Sequence, residues 1–165
     1  MNNFNHFYDT AEKREVISVI VKNEDSVLSR ISNLFSARGY NIDSLTVAPV
    51  PDTEYSRLTI VTIGDARTID QIVKQLNKLI PVLKVIEHKH AIEKDTVLIK
   101  IPIDQNLSDV DVLARAYNGA IQNVTDDAIV ISATDDPNRI ANFIKVIQRF
   151  NPLEIVRGGV VAIGR

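Results

Sequence analysis

Cysteine and tryptophan are both missing from this chain of 165 residues, and methionine occurs once. Without thiols there is no disulfide framework, no thiolate metal centre and no cysteine nucleophile, and a reducing compartment is compatible. Net charge is small as well. Nineteen basic against twenty-one acidic residues leave a net charge of -2, which gives no electrostatic reason to expect nucleic acid or an anionic membrane as partner. No run approaches the roughly twenty apolar residues of a membrane span. Residues 1–14, with Asn2, Asn3, Asn5, Asp9 and Thr10, lack the apolar stretch of a secretory signal. The expectation is a soluble, cytoplasmic protein with a loose N-terminal arm, which Phe4, Phe7 and Tyr8 could dock on a surface although fraying is the commoner outcome for a terminus.

Catalytic signatures are missing too. There is no GxSxG, Walker or HExxH sequence, and Gly158-Gly159 follows a strand instead of opening a helix, so it is no dinucleotide fingerprint. Ser26, Ser29, Ser32 and Ser36 lie along one helix without a histidine base. His88 and His90 fall on one strand face but have no third metal ligand nearby in sequence, and a solvated linker accounts for them. Asp126-Asp127 and Asp135-Asp136 sit where turn and cap chemistry explains them. No catalytic residue and no metal site is expected.

What is present is a repeated grammar of strands and helices. Val16–Val21 is almost wholly β-branched and reads as a central strand. Asp25 or Ser26 can cap the helix whose apolar positions are Leu28, Ile31, Leu34 and Phe35. Gly39 stops that helix, and Tyr40, Ile42, Leu45 and Val47 form a second strand. Pro49, Pro51 and Asp52 interrupt the ladder before a third strand at Arg57–Ile63. Thr68 and Gln71 form a capping box for a second helix carrying Ile69, Ile72, Val73, Leu76, Leu79 and Ile80, and Pro81 precedes a fourth strand over Val82–Ile86.

The order β-α-β-β-α-β is that of ferredoxin-like domains, two helices over one face of a four-stranded antiparallel sheet. Alternation groups Val19, Val21, Val61 and Ile63 as part of an uncovered face suited to association, without telling which set of each strand faces the helices. The same order returns with a strand on Val97, Ile99, Ile101 and Ile103 and a helix opened by Ser108 or Asp109 and ended by Asn118-Gly119. A hairpin then turns at Thr125-Asp126-Asp127, a helix follows Asp136-Pro137, and a last strand spans Leu153–Val156 before a tail at 157–165. Gly39 and Gly119 occupy the same helix-to-strand turn of the two halves. The fold class is therefore α+β with two ferredoxin-like βαββαβ domains, at 15–90 and 91–165, divided at the charged Glu87–Asp95 stretch. RNA-binding members of this topology stack bases on aromatics of the central strands, and neither Val16–Val21 nor Arg57–Ile63 contains one.

Two segments suggest a ligand. The helix start at Asn23–Leu28 can offer backbone amides to a carboxylate, and Asn41, at the exit of the Gly39 turn, has an amide that donates and accepts together. Taken with Ser18–Glu24, Leu28-Ser29-Arg30, Leu34-Phe35-Ser36, Ser56–Ile60, Gln75–Leu79, Arg157–Val160 and above all Arg38–Pro49, these residues make the chain resemble the regulatory small subunit of acetolactate synthase, also called acetohydroxyacid synthase, over about residues 14–165.

The resemblance implies an N-terminal ACT domain, a smaller C-terminal domain of related topology and a homodimer through side-by-side ACT sheets. It implies no catalysis by this chain and no cofactor on it. The partner would be the acetolactate synthase catalytic subunit, which uses thiamine diphosphate, magnesium and FAD. The small subunit would activate that partner and confer feedback inhibition by a branched-chain amino acid, usually valine, in branched-chain amino-acid biosynthesis. The effector would sit between two ACT domains, in contact with Asn23, Asp25, Ser26, Val27 and Leu28 of one chain and Asn41 and Ile42 of the other. Family members usually carry glycine where this chain has Ser26, so weaker or altered effector binding is expected. Arg57 and Arg67 are the conceivable contacts to the partner. The alternative is a stand-alone tandem ACT sensor acting on transcription or another enzyme. An acylphosphatase-like enzyme is disfavoured because Lys22–Ser26 lacks the arginine and glycines it would need.

Overall fold

The computed structural model describes residues 11–165, and the chain divides into two compact units, one ending at His90 and the other spanning Ala91–Arg165. The arm expectation for Phe4, Phe7 and Tyr8 lies outside the described residues. Within them the chain is already a strand at Lys13, earlier than the arm boundary anticipated, because Lys13 and Arg14 pair with Gly64 and Ile63.

The first unit runs β1 (Lys13–Lys22), α1 (Val27–Ala37), β2 (Ile42–Pro49), β3 (Tyr55–Gly64), α2 (Ala66–Asn77) and β4 (Val82–Glu87), with antiparallel strand order β2-β3-β1-β4. Register sets the core. Ile17 opposes Ile60 and Val19 opposes Leu58, and these side chains with Val21 meet Ile31, Phe35, Ile72 and Leu76 of the two helices. Each such buried side chain contributes about 1.5–3 kcal/mol relative to exposure.

The same register corrects the expected open face. Val19 and Val21 point at the helices, whereas Val61, opposite Val16, points away, so the four residues proposed for that face do not share it. The helix-free side instead carries polar groups at its centre. Ser18 is fully buried, its hydroxyl 2.8 Å from His88 Nε2 and accepting from Arg57 Nη2 at 3.0 Å. His88 is thus part of a hydrogen-bonded group on the sheet and not a solvated linker residue.

The second unit runs β5 (Ala91–Pro102), α3 (Leu107–Ala116), β6 (Gly119–Val124), β7 (Ala128–Asp135), α4 (Pro137–Ile147), a short 3-10 turn (Gln148–Phe150), β8 (Glu154–Arg157) and β9 (Val161–Gly164). Its sheet order is β6-β7-β5-β8, with Ile99 between Ile131 and Ile155 and a core completed by Val110, Ala114, Ile140, Phe143 and Ile147. Two segments carry more structure than expected: the Ala91–Asp95 part of the boundary stretch is strand, and the 157–165 tail ends in one, as β9 pairs with β5 from Ala91 opposite Gly164 to Lys94 opposite Val161. The pairing is non-local, and neither partner segment alternates cleanly enough to declare itself.

Helix ends follow local chemistry. Gly39 adopts φ +69°, its N–H reaching Ser36 O (3.1 Å) while Tyr40 N–H reaches Phe35 O (2.9 Å), the two bonds of a left-handed cap. In the second unit Asn118, at φ +55°, takes that position instead of Gly119. Gly119 answers a different need: a Cβ there would lie 2.5 Å from Ser132 O. Among the described residues no helix is long and apolar enough to cross a membrane.

Candidate functional site

Four α-helices begin among the described residues, and three have their first amides filled by their own chain. Asp65 accepts from Thr68 N at 2.7 Å at the start of α2, so the cap is Asp65 and not the Thr68 and Gln71 box. That bond is the largest cause of a carboxyl pKa held below the ordinary aspartate value. Asn106, and not Ser108 or Asp109, caps α3, its Oδ1 accepting from Ser108 N (2.9 Å) and Asp109 N (3.2 Å). Asp136 caps α4 through Asn138 N (2.9 Å), with Pro137 at the first helical position.

The start of α1 differs. Ser26 holds the cap position at φ +69° and ψ 0° and makes no side-chain hydrogen bond, and no acidic residue lies in the first turn. Neither Asp25 nor Ser26 therefore caps in the manner expected. The first intrahelical bond is Arg30 N to Ser26 O (3.0 Å), and Val27 N reaches Glu24 O at 3.5 Å. The amides of Leu28 and Ser29 have no acceptor among the described residues, and a helix start carries about half a positive charge. The left-handed serine matters because L-residues pay roughly 1–2 kcal/mol for that conformation, whereas glycine does not.

The loop before α1 is held by its backbone. Lys22 N donates to Pro81 O and Asn23 N to Glu54 O, both at 2.9 Å. The side chains of Asn23, Asp25 and Ser26 are exposed, as is Leu28 at 43%. Val27 is 6% exposed and belongs to the core, so its side chain cannot make the effector contact expected of it. At the other end of α1, Asn41 is exposed, its carbonyl accepting from the Thr62 hydroxyl at 2.5 Å, and Ile42 is half-buried against the core. Eleven helical residues, about 16 Å of rise, separate the two groups within one chain. A single copy does not bring Asn23 and Ser26 to Asn41 and Ile42.

The second unit buries charge. Asp95 is 2% exposed and its Oδ2 accepts from Arg157 Nε at 2.5 Å, while its Oδ1 is buried with no partner among the described residues. Asp135, its cross-strand neighbour, accepts from Arg139 Nε (2.5 Å), Asn118 Nδ2 (3.1 Å) and Asp136 N (2.8 Å), with Lys94 Nζ at 3.5 Å. Burial pushes the Asp135 carboxyl up, but the Arg139 and Asp136 hydrogen bonds and the Arg139 and Lys94 charges outweigh it and leave the pKa below the ordinary aspartate value. Turn and cap chemistry was thus half of the matter for Asp135-Asp136. The partners, distant in sequence, could not be found by spacing.

Comparison with known proteins agrees with this architecture. Residues 17–84 match the family described as AHAS small subunit-like ACT domain, and residues 94–165 match small subunit of acetolactate synthase. The chain is 39% identical over 157 residues to the acetolactate synthase small subunit of Buchnera aphidicola subsp. Schizaphis graminum, covering 92% of this chain and 99% of that one. It is 37% identical over 156 residues to the isozyme 3 small subunit of Escherichia coli K12, covering 92% and 96%. The crystal structure of the acetolactate synthase small subunit from Thermotoga maritima superposes with a TM-score of 0.86 at 32% identity, covering 93% of this chain and 98% of that one. With both of its domains matched and its length spanned, the chain belongs to the family of acetolactate synthase small subunits.

Proposed function

We propose that this chain is a non-catalytic regulatory subunit that activates a thiamine diphosphate-dependent acetolactate synthase catalytic chain and makes it sensitive to a branched-chain amino acid, valine first among them. The observation that carries the proposal is the start of α1, the one helix start among the four that its own side chains leave unfilled. The amides of Leu28 and Ser29 suit the effector carboxylate. Ser29 replaces Val27 in the set expected from sequence, because the Val27 amide already leans on Glu24 O. Side-chain amides of Asn23 and Asn41 would orient the ligand, with the Asp25 carboxylate an available acceptor for its ammonium. Leu28 and Ile42 offer apolar surface for the branched side chain.

Because Asn23 and Asn41 flank opposite ends of α1, the site requires a second copy that brings its Asn41 and Ile42 to the first copy's Ser26 loop. β2 lies at one end of the strand order, the edge along which such a side-by-side pair would form. Effector binding at that junction would favour one arrangement of the pair over another, and the catalytic chain would respond to the difference. Ser26 sets the affinity. Its Cβ, in a left-handed position, stands where glycine would allow closer approach, so Ser26→Gly should bind valine more tightly.

Isothermal titration of the full chain with valine, leucine and isoleucine, beside Ser26→Gly, tests this together with the rate of the catalytic chain with and without valine. Tighter valine binding by Ser26→Gly and valine-dependent inhibition of the assembled enzyme are expected. Equal affinity in both proteins would remove the role of Ser26, and an unchanged rate on adding this chain would remove the regulatory function.

A further inference from the structure

The outer surface of the second unit carries a groove of about 730 Å³ between α3 and α4, lined by Tyr117, Asn138, Arg139, Asn142 and Lys145 with small and apolar residues between them. No carboxylate lines it. On a chain whose overall charge is -2, this is a local concentration of hydrogen-bond donors and positive charge.

Its central cation is held in place before anything binds. Arg139 donates Nε–H to Asp135 and Nη2–H to Ala116 O (2.6 Å), and its guanidinium lies 5.2 Å over the Tyr117 ring. Tyr117 is in turn stacked on the buried Phe143 at 5.0 Å and accepts from Asn142 Nδ2 at 3.0 Å. A guanidinium has five N–H donors, so others remain beyond the two committed here, in the planar geometry that matches a carboxylate.

The charge balance favours an anion. Three cations, Arg139, Lys145 and, just outside the lining, Lys94, stand against two carboxylates, Asp135, which touches Arg139 and Lys94, and Asp136, whose charge also acts on Arg139. Lys145 makes no ion pair among the described residues and is exposed. Asp111 is engaged elsewhere, on Arg115 at 3.0 Å, and neither it nor Asp136, which accepts from the Asn138 amide, is part of the lining.

We propose that the α3–α4 groove docks an acidic segment of the acetolactate synthase catalytic chain, a contact separate from the effector site. The inference rests on the assembly proposed above. The occupant is an extended polypeptide and not a small metabolite because the groove is open along two exposed helix faces and has no enclosing wall. Its charge pattern supplies the complementarity that fixes register and speeds encounter, more than it supplies hydrophobic affinity.

The test measures association of the full chain with the catalytic chain across a salt series, for wild type, Lys145→Glu, Lys145→Gln and Lys145→Glu/Asn138→Asp. Lys78→Glu, on the first unit, serves as a charge-matched control. Asn138 lies in the first turn of α4, where an acidic side chain favours the helix, and unchanged melting temperatures confirm that the variants fold. The expected result is a roughly tenfold weaker Kd for the double variant (about 1.4 kcal/mol), a smaller loss for Lys145→Gln, a shallower salt dependence in each, and no change for Lys78→Glu. If wild type assembles and the double variant matches it in affinity and salt dependence, the groove is not the docking site while the assembly stands. If wild type does not associate at all, both fall.

Discussion

At the start of α1 the first domain leaves the amides of Leu28 and Ser29 bare behind a left-handed Ser26, whereas at the equivalent place in the second domain the Asn106 side chain accepts from Ser108 and Asp109. The interiors differ in the same spirit. Buried polar residues of the first domain are the hydroxyls Ser18, Ser56, Thr59 and Thr62, and those of the second are the carboxylates Asp95 and Asp135 with their arginines. One topology thus serves two ends. A helix start without a side-chain cap is available to an outside carboxylate, and one that is capped contributes its bond to stability. The buried carboxylates, paired with partly exposed arginines, make the second domain dependent on those partners, since a charge left alone inside a protein is far costlier than a hydroxyl.

That contrast can be broken at several points. Arg157→Ala strands the Asp95 carboxylate and should cost about 3 kcal/mol or more, seen in urea unfolding as early loss of the second domain with the first intact. Gly119→Ala comes next. Its Cβ would collide with the Ser132 carbonyl and the nearby Ala114 carbonyl, an overpacking of about 2–3 kcal/mol. Gly39→Ala meets nothing within 4 Å and should cost only the left-handed penalty of about 1–2 kcal/mol, so the two substitutions differ in size for different physical reasons. Asn106→Ala should cost about 1 kcal/mol through the lost cap, while Ser26→Ala, which removes no hydrogen bond, should leave the melting temperature nearly unchanged.

Acid provides a finer comparison. The folded-state pKa of Asp135 lies below its unfolded value, so its contribution is complete above the ordinary aspartate pKa and fades as pH falls toward the folded one. Arg139→Gln should remove part of this acid dependence from the second domain, measured as a flatter stability profile below about pH 4, and leave the first domain's profile unaltered.

The fold was legible because apolar periodicity and turn residues acted locally: Val16–Val21, the Ile69–Leu76 face and the Asp136-Pro137 cap each signalled an element within a few residues. What stayed hidden depended on residues far apart in sequence. The parity of β1 against β3, which puts Val19 and Val61 on opposite faces, is a matter of register, and β9 becomes a strand only by finding Ala91–Lys94. For the candidate site, the Ser26 loop and Asn41 were readable as positions. The Val27 side chain was not, because an apolar residue at a helix start looks the same whether it faces a ligand or the core.

The most direct measurement is the amide spectrum of the isotopically labelled chain titrated with valine. Binding at the open helix start predicts shifts at Leu28 and Ser29, accompanied by Asn41 and Ile42, with Ser108 and Asp109 of the capped helix unmoved. Saturating valine that leaves Leu28 and Ser29 still, or that moves Ser108 and Asp109 instead, would contradict the assignment of the effector carboxylate to α1.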